Sequence, residues 1–394
     1  MFEQVMEYPV DPIMIGADYF AADPRRDKLN LTVGIYQDEH GQTPVLEAVK
    51  LAEQKLIESQ TSKSYLALTG DANYCNVLGH EIMGQAYDDG WVSAQTSGGA
   101  VALRVMADLL AQMPKPPTVW LQTPTYGNYV PILTSAHARF AQVAYYDRLK
   151  REITFDQMLD GLTAARAGDV FLMQGVCHNP TGADMNIEQF HAVLDLLEAR
   201  GIIPWIDLAY LGFSQSWDAD CAMVRKIAER FPECIVCITL SKSFGIYRDR
   251  AGALFVKTRA GDRDRMHRAV SAIVRSGASH APDHGPSVVR TILQDDILKA
   301  RWLDELDQMR TRVARVRQQI ADTERAEFGT DQLAYIAKQS GMFSLLPLNE
   351  TQETALTRDH GIHVVKGGRV NVARLGAADA KKLIRAISET TSAT

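Results

Sequence analysis

The segment "CIVCITLSKSFGIYRDRAGALFVK", residues 234–257, joins two apolar runs through a polar loop that carries Lys242. Both runs are rich in β-branched and aromatic residues, which is typical of buried strands. A charged group at the end of a buried strand is costly unless it has a partner. The segment therefore predicts a pair of strands joined by a loop in which the lysine has a special role.

Further apolar runs predict a larger sheet: "TVWLQTP" near 118, "ARFAQVAYYD" near 138, "DVFLMQGVCHNP" near 169 and "IIPWIDLAY" near 202. Amphipathic stretches such as "NIEQFHAVLDLLEARG" and "CAMVRKIAERFP" lie between several of them. Strands that alternate with helices are typical of an α/β fold, with a mostly parallel sheet flanked by helices. From about 284 to 326 apolar residues recur at spacings of three and four, which predicts one continuous long helix that links two domains.

A chain of 394 residues exceeds the size at which a single core usually stops growing, so we expect a large and a smaller domain. We assign residues 1–40 to the small domain, 41–300 to the large domain, and 301–394 to the linking helix and the remainder of the small α+β domain.

The composition is that of a globular protein, with 46% hydrophobic and 23% charged residues. A net charge of -6 gives no reason to expect nucleic acid or an anionic membrane as partner. The start of the chain lacks the pattern of a secretory signal, and no apolar run is long enough to span a membrane. We therefore expect a cytoplasmic protein.

The five cysteines are an odd number, which favours reduced thiols over a disulfide framework. Cys234 and Cys237 form a C-x-x-C pair that could be a redox or metal site. On a strand, however, residues three apart point to opposite faces. We interpret both as core residues and expect no metal.

Polar residues follow three of the apolar runs, where ligands bind in parallel α/β sheets. Lys242 could be a nucleophile if burial favours its neutral form, or an ordinary surface lysine. Asp207 ends the run "IIPWID" and needs a positive partner, such as a protonated pyridine nitrogen; it could also cap a helix or form a structural salt bridge. Tyr210 and Asn179, the latter in the turn "CHNPTG", could both hydrogen-bond one phenolate-like oxygen.

A phosphate site is indicated by "TSGGAVALRVMADLL", in which Gly98 and Gly99 precede a helical stretch. Backbone N–H groups and the helix dipole favour an anion there, although an ordinary capped helix has the same pattern. Thr239, Ser241 and Arg250 flank Lys242 and could bind the same phosphate. These groups match the parts of pyridoxal phosphate. The lysine suits its aldehyde, the aspartate suits its pyridine nitrogen, and the helix N-terminus with its flanking residues suits its phosphate.

With these residues in place, the chain resembles the class I aminotransferases of the aspartate and aromatic amino acid group, which are fold-type I pyridoxal phosphate enzymes. The matching segments span nearly the whole chain and include "SYLALTGDANY", "TSGGAVALR", "CHNPTGADM", "DLAYLGF", "SKSFGIYRDRAG", "HGPSVVRTILQD" and "GGRVNVA".

The resemblance implies a role for each matching cofactor residue. Lys242 would bond to the cofactor aldehyde and move a proton to and from the substrate's α-carbon. Asp207 would keep the pyridine nitrogen protonated, and Tyr210 would join Asn179 at the ring oxygen. Tyr126 would stack on the ring. The phosphate would be held by a larger set: Gly98, Gly99, Ala100, Thr239, Ser241, Arg250 and Tyr65 of the partner subunit.

The resemblance also implies substrate contacts, to which Tyr126 and Asn179 contribute. Arg369 would grip the α-carboxylate with its planar guanidinium. Gly34 would let the N-terminal segment close over the substrate. Arg275 would reach across a homodimer to a side-chain carboxylate; on sequence alone it could equally be a solvated arginine at a helix end.

The chain departs from the family pattern at several of these positions. Tyr126 stands where relatives usually have Trp, and Ala100 where a hydroxyl residue is common. Tyr129 and Gln174 take the places of two histidines behind the aspartate. Residues 277–280, Gly-Ala-Ser-His, replace the usual sequence after Arg275, where the substrate side chain is read. The preferred donor therefore stays open.

We expect a homodimeric aminotransferase that moves an amino group from an aspartate or aromatic donor to 2-oxoglutarate in a ping-pong reaction. One alternative is a lyase or decarboxylase on the same fold, which the pair Arg369 and Arg275 disfavours because two carboxylate clamps suit exchange with 2-oxoglutarate. Another is a non-catalytic cofactor-binding module of a transcription regulator. It would need an attached DNA-binding domain, yet the match begins near residue 11, with the segment "DPIMIGADYFAADPRRDKLNLTVGIYQDEHGQTPVLEAVKLAE".

Overall fold

The computed structural model describes residues 2–5 and 12–392. The α-helices in this part of the chain are α1 (Pro12–Ala22), α2 (Glu47–Ser59), α3 (Ala72–Met83), α4 (Gly99–Ala111), α5 (Tyr129–Ser135), α6 (Phe155–Leu162), α7 (Ile187–Arg200), α8 (Trp217–Arg230), α9 (Arg263–Ser276), α10 (His284–Leu293), α11 (Asp296–Phe328), α12 (Glu350–His360) and α13 (Ala377–Ser392). The strands are β1 (Leu29–Asn30), β2 (Trp91–Thr96), β3 (Thr118–Thr123), β4 (Arg139–Ala144), β5 (Tyr146–Asp147), β6 (Glu152–Ile153), β7 (Val170–Gln174), β8 (Ile203–Leu208), β9 (Cys234–Thr239), β10 (Gly252–Lys257), β11 (Phe343–Leu345), β12 (Ile362–His363) and β13 (Arg369–Asn371).

The central feature is a seven-stranded sheet with the order β2-β10-β9-β8-β7-β3-β4. Adjacent strands in this sheet are parallel, except that β10 runs antiparallel to both β9 and β2. Each predicted strand of the large domain is present, and the mostly parallel α/β fold is confirmed.

Two apolar clusters pack on the opposite faces of this sheet. Successive residues of β7 alternate between them: Phe171 and Met173 join one cluster, whereas Val170 and Leu172 join the other. This alternation is the period of two expected for a strand. The strands are apolar on both faces because helices cover both sides of a parallel sheet.

The prediction of one continuous helix over 284–326 is wrong at a single point. The chain forms α10 and α11 instead, and Asp295 begins the second helix by accepting hydrogen bonds from the backbone N–H groups of Ile297 and Leu298, both at 3.0 Å. An aspartate side chain binds free N–H groups at a helix start, so it favours a new helix over continuation.

The remaining elements form small sheets: β1 pairs with β12, β11 with β13, and β5 with β6. The β1–β12 pairing joins the N-terminal and C-terminal parts of the chain, with Leu29 opposite Ile362. The domain boundaries at residues 40 and 300 stay predictions. Among the described helices, none has the length and apolar character needed to cross a membrane.

Candidate active site

The carboxyl ends of β2, β3, β7, β8 and β9 meet at one edge of the sheet. Because β10 is antiparallel to its neighbours, its amino end lies at the same edge and brings Arg250, two residues before the strand, to the same place. A cavity of about 250 Å³ lies at this edge. Its lining is Gly34, Gly99, Ala100, Leu103, Tyr126, Gln174, Asn179, Asp207, Ala209, Tyr210, Thr239, Ser241, Lys242, Tyr247 and Arg250.

Lys242 lies three residues after β9 and is partly buried in the cavity wall. Its ammonium nitrogen is 5.2 Å from the centre of the Tyr210 ring. Burial lowers the pKa of Lys242 to about 8, with the nearby Arg250 charge lowering it further and Asp207 opposing the shift. The neutral amine, which is the nucleophilic form, is therefore far more accessible than in a solvated lysine.

Asp207 lies near the end of β8 with 6% of its surface exposed. Its Oδ2 accepts a hydrogen bond of 2.8 Å from the Tyr129 hydroxyl at the start of α5. Burial raises the pKa of Asp207 to about 6, against the lowering effects of the Tyr129 hydrogen bond and the Lys242 charge. A carboxylate that is costly to ionise without a cation is suited to hold a protonated ring nitrogen.

The two residues expected behind Asp207 have different partners. Tyr129 contacts the carboxylate directly, as expected. Gln174 instead binds the peptide of Asn179: its Nε2 donates to the Asn179 carbonyl and its Oε1 accepts from the Asn179 N–H, both at 2.8 Å. Gln174 therefore holds the "CHNPTG" turn that presents the Asn179 side chain.

The predicted phosphate cradle is assembled around two glycines at the start of α4. Gly98 has a φ of +90°, and a Cβ there would lie 2.6 Å from Nη2 of Arg250. A Cβ on Gly99 would be 3.1 Å from Cβ of Thr239. Glycine thus leaves room for the guanidinium beside the helix N-terminus.

Hydroxyl groups complete this cradle. The Thr239 and Ser241 hydroxyls are 3.3 Å apart, and Nη1 of Arg250 donates to the Ser241 oxygen at 3.2 Å. A helix N-terminus, two hydroxyls and one guanidinium are the groups that bind a phosphate monoester. With Lys242 and Asp207 in the same cavity, the residues present fit pyridoxal phosphate.

Arg369 lies on β13, is buried, and contacts a residue of the cavity lining. Its Nη1 donates to Oδ1 of Asn179 at 3.4 Å, and its Nη2 donates to the Thr32 carbonyl at 2.6 Å. The guanidinium also lies 4.5 Å from the centre of the Phe343 ring. Gly34 faces the same ring, because a Cβ there would lie 2.9 Å from Cζ of Phe343. The predicted substrate residues Arg369, Asn179 and Gly34 thus share one neighbourhood.

A wider cavity of about 630 Å³ opens beside the first one. Tyr126 and Asn179 line both cavities, and Arg369 lines the outer one. We call it the outer cavity. The shared residues place the outer cavity directly beside the candidate site.

Tyr65 and Arg275 do not line either cavity of this chain. The Tyr65 side chain is 87% exposed, and its ring stacks on His280 with centroids 4.8 Å apart. Arg275, also exposed, donates to the Ser279 hydroxyl at 2.7 Å. Both residues therefore lie against the 279–280 segment, on one surface.

Tyr247 is a cavity residue that sequence reasoning missed. Its hydroxyl oxygen accepts a hydrogen bond of 2.9 Å from the backbone N–H of Tyr36, and burial raises the pKa of this hydroxyl. The contact ties the lysine loop to the segment that follows Gly34. Its position in the loop between β9 and β10, five residues after Lys242, is the sequence feature that could have indicated it.

The C-x-x-C pair lies outside this site. Cys234 packs in one apolar cluster and Cys237 in the cluster on the opposite face of the sheet, as the strand period predicts. Both thiols are buried, and burial raises the pKa of each. In the described part of the chain, no group of three or more His, Cys, Asp or Glu side chains could hold a metal ion.

The fold and cavity fit a pyridoxal-phosphate-dependent enzyme, and comparison with known proteins identifies its family. Residues 26–387 match the family "Aminotransferase class I and II". The chain is 39% identical to the aspartate aminotransferase of Escherichia coli, over 98% of this chain and 99% of that protein. It is 38% identical to the tyrosine aminotransferase of Rhizobium meliloti, over 97% of this chain and 98% of that protein.

A solved structure has the same fold. The aromatic-amino-acid aminotransferase of Burkholderia pseudomallei, covalently bound to pyridoxal phosphate, superposes with a TM-score of 0.94 at 32% identity and 99% coverage of both chains. The chain belongs to the class I and II aminotransferases. It is a pyridoxal-phosphate-dependent transaminase of fold type I that acts on amino acid and 2-oxo acid substrates.

Proposed function

We propose that Lys242 is the catalytic base and Asp207 the partner of the cofactor's ring nitrogen. The observation that carries this proposal is that both side chains line one cavity with the N-terminus of α4. When bound, pyridoxal phosphate supplies an aldehyde for Lys242 and a ring that draws electrons from the substrate's α-carbon. The lowered pKa of Lys242 lets its neutral amine take the α-proton near neutral pH.

In this proposal the other site residues bind the cofactor and orient it. Asn179 and Tyr210 hold the ring oxygen, and Tyr126 covers the ring face. Gly98, Gly99, Ala100, Thr239, Ser241 and Arg250 hold the phosphate. The backbone N–H of Ala100 remains available, so its missing hydroxyl removes one side-chain bond.

We propose that Arg369 binds the α-carboxylate shared by amino donor and oxo acid. Its planar guanidinium can form two parallel hydrogen bonds to a carboxylate. Gly34 and the chain that follows it close over the substrate. The donor is aspartate or an aromatic amino acid, as the names of the relatives support. The acceptor in this proposal is 2-oxoglutarate.

The test is a half-reaction without acceptor. Protein loaded with pyridoxal phosphate is mixed with each of the twenty amino acids in turn, and absorbance follows conversion of the cofactor from its aldehyde to its amine form. Conversion by aspartate or aromatic donors, reversed by 2-oxoglutarate, is expected. If neither acidic nor aromatic donors convert the cofactor, the donor assignment and the role of Arg275 are both wrong.

We further propose a homodimer in which Tyr65 and Arg275 of each subunit enter the site of the other. Their shared exposed surface in the single chain supports this arrangement. Co-expression of Lys242→Ala and Arg275→Leu chains tests it. A hybrid dimer has one site with an intact Lys242 from one chain and an intact Arg275 from the other, so turnover of aspartate returns. A hybrid as inactive as both parents contradicts the sharing.

The division into a large domain at 41–300 and a small domain from 1–40 and 301–394 is part of this proposal. So is a cytoplasmic location, which five cysteines without a disulfide support.

A further inference from the structure

Glu353 connects α12 to two segments that line the outer cavity. It lies on α12 and is buried, with 8% of its surface exposed. Its Oε2 accepts a hydrogen bond of 3.0 Å from the backbone N–H of Gly367. Its Oε1 pairs at 3.2 Å with Nη1 of Arg148, which lies in the turn between β5 and β6. Both oxygens of one carboxylate are therefore used.

The turn that Glu353 holds leads directly into Arg369. Val365 and Arg369 form an isolated bridge that closes a loop of three residues, 366–368. Gly367 and Gly368 have φ values of +96° and +79°, which favour glycine. A Cβ on Gly368 would lie 2.6 Å from the Leu346 carbonyl, so the turn packs closely on the chain beneath it. Within the turn the Gly368 N–H donates to the Val365 carbonyl at 3.0 Å, whereas the Gly367 N–H binds outside it, to Glu353. Because glycine restricts the backbone least, this contact limits the conformations open to the turn.

Arg148 and this turn face the same space. Arg148, Lys366 and Gly367 of the turn, and Arg369 after it, all line the outer cavity. The ion pair between Arg148 and Glu353 therefore spans the outer cavity's wall, from the β5–β6 turn to α12. The side chains of Arg148 and Glu353 are 32% and 9% exposed, so solvent and salt weaken their attraction less than that of an exposed ion pair.

We propose that Glu353 is a positioning residue for Arg369. Its carboxylate fixes the 366–368 turn, and Arg148 orients that carboxylate from the adjacent β5–β6 turn. The guanidinium of Arg369 is thereby held where it meets the substrate α-carboxylate. This inference rests on the proposed role of Arg369.

The test compares steady-state kinetics of four variants for an amino donor and for 2-oxoglutarate. Glu353→Ala is expected to raise KM about tenfold for both substrates, because both present an α-carboxylate, with kcat within about twofold. Glu353→Gln keeps an acceptor for the Gly367 N–H and is expected to stay within about threefold of the wild-type KM. Arg148→Met, which removes only the cation, is expected to raise both KM values about two- to threefold.

Glu350→Ala is the matched control. Glu350 lies on the same helix and pairs with Lys366 of the same turn at 2.9 Å, but both side chains are at least 75% exposed. Loss of an exposed pair is expected to leave both KM values unchanged. Cofactor absorbance and the melting temperature, measured for each variant, separate a local effect from misfolding.

Several results would overturn the inference. They are a Glu353→Ala protein with KM within twofold of wild type, one whose defect falls on kcat alone, or a Glu353→Gln protein as impaired as the alanine variant. If Glu353→Ala does not fold, Arg148→Met decides, and an unchanged KM contradicts the proposal. Arg369→Ala is measured in parallel. If it raises KM while Glu353→Ala does not, only this inference fails; if it leaves KM unchanged, the proposed role of Arg369 fails first.

Discussion

The hydrogen bond from Tyr129 to Asp207 predicts how strongly the protein holds its cofactor at each pH. Tyr129→Phe removes a donor 2.8 Å from a buried carboxylate whose pKa is about 6. A hydrogen bond to a charged group contributes about 1.5–3 kcal/mol. Its loss favours the protonated acid and raises the pKa of Asp207 by about one to two pH units.

The consequence is a shift of cofactor affinity along the pH axis. At about pH 7 roughly nine tenths of wild-type Asp207 is ionised before the cofactor binds, whereas in the variant about half or less is ionised. We therefore expect cofactor affinity to fall about two- to tenfold at that pH and to return to the wild-type value about two pH units higher. The assay is titration of the cofactor-free protein with pyridoxal phosphate from about pH 5 to 9.

Tyr145→Phe is the control for this variant. Its hydroxyl is also buried, and it donates to the Ala183 carbonyl at 2.7 Å. Stability can fall in the control, but the pH dependence of cofactor binding should not move. If the Tyr129→Phe and wild-type curves have the same shape, the hydrogen bond does not tune Asp207 and the reasoning is refuted.

Two further predictions concern the cradle and the stability of the fold. Gly98→Ala places a methyl group 2.6 Å from Arg250 at a φ of +90°, so we expect cofactor affinity to fall at least about tenfold; a titration matching wild type contradicts the cradle. Burial lowers the pKa of His178 to about 3 from 6.5, so the unfolded chain binds the extra proton and wild-type stability is lost as pH falls below 6.5. At about pH 4.5 this cost is about 3 kcal/mol. His178→Gln should give a flatter dependence of unfolding free energy on pH, and an equally steep one would show that His178 does not contribute.

The buried strands, and the polar site residues at their ends, could be predicted from the sequence. Buried strands show as β-branched and aromatic runs, and polar residues that interrupt such runs must have partners. Lys242, Asp207 and Asn179 were visible for this reason. By contrast, β2 was missed because "WVSAQT" includes Ser93 and Gln95, which weaken the apolar signal.

Other features depend on contacts that a single sequence does not contain. The antiparallel direction of β10 brings Arg250 to the site, and no local pattern distinguishes it from a parallel strand. The Gln174 side chain hydrogen-bonds the backbone of Asn179 and not the Asp207 carboxylate, because the 175–179 segment folds back over the end of β7. The pair of Arg148 and Glu353 joins residues 205 positions apart.

The proposed role of Lys242 is tested most directly by Lys242→Ala. The phosphate cradle and Asp207 remain, so the purified variant should still bind pyridoxal phosphate, as its absorbance will show. Since an amine that moves the α-proton contributes up to about four orders of magnitude, transamination of the best donor with 2-oxoglutarate should fall by about that factor. A variant that keeps its cofactor and retains substantial transamination would contradict the assignment of Lys242 as the catalytic base.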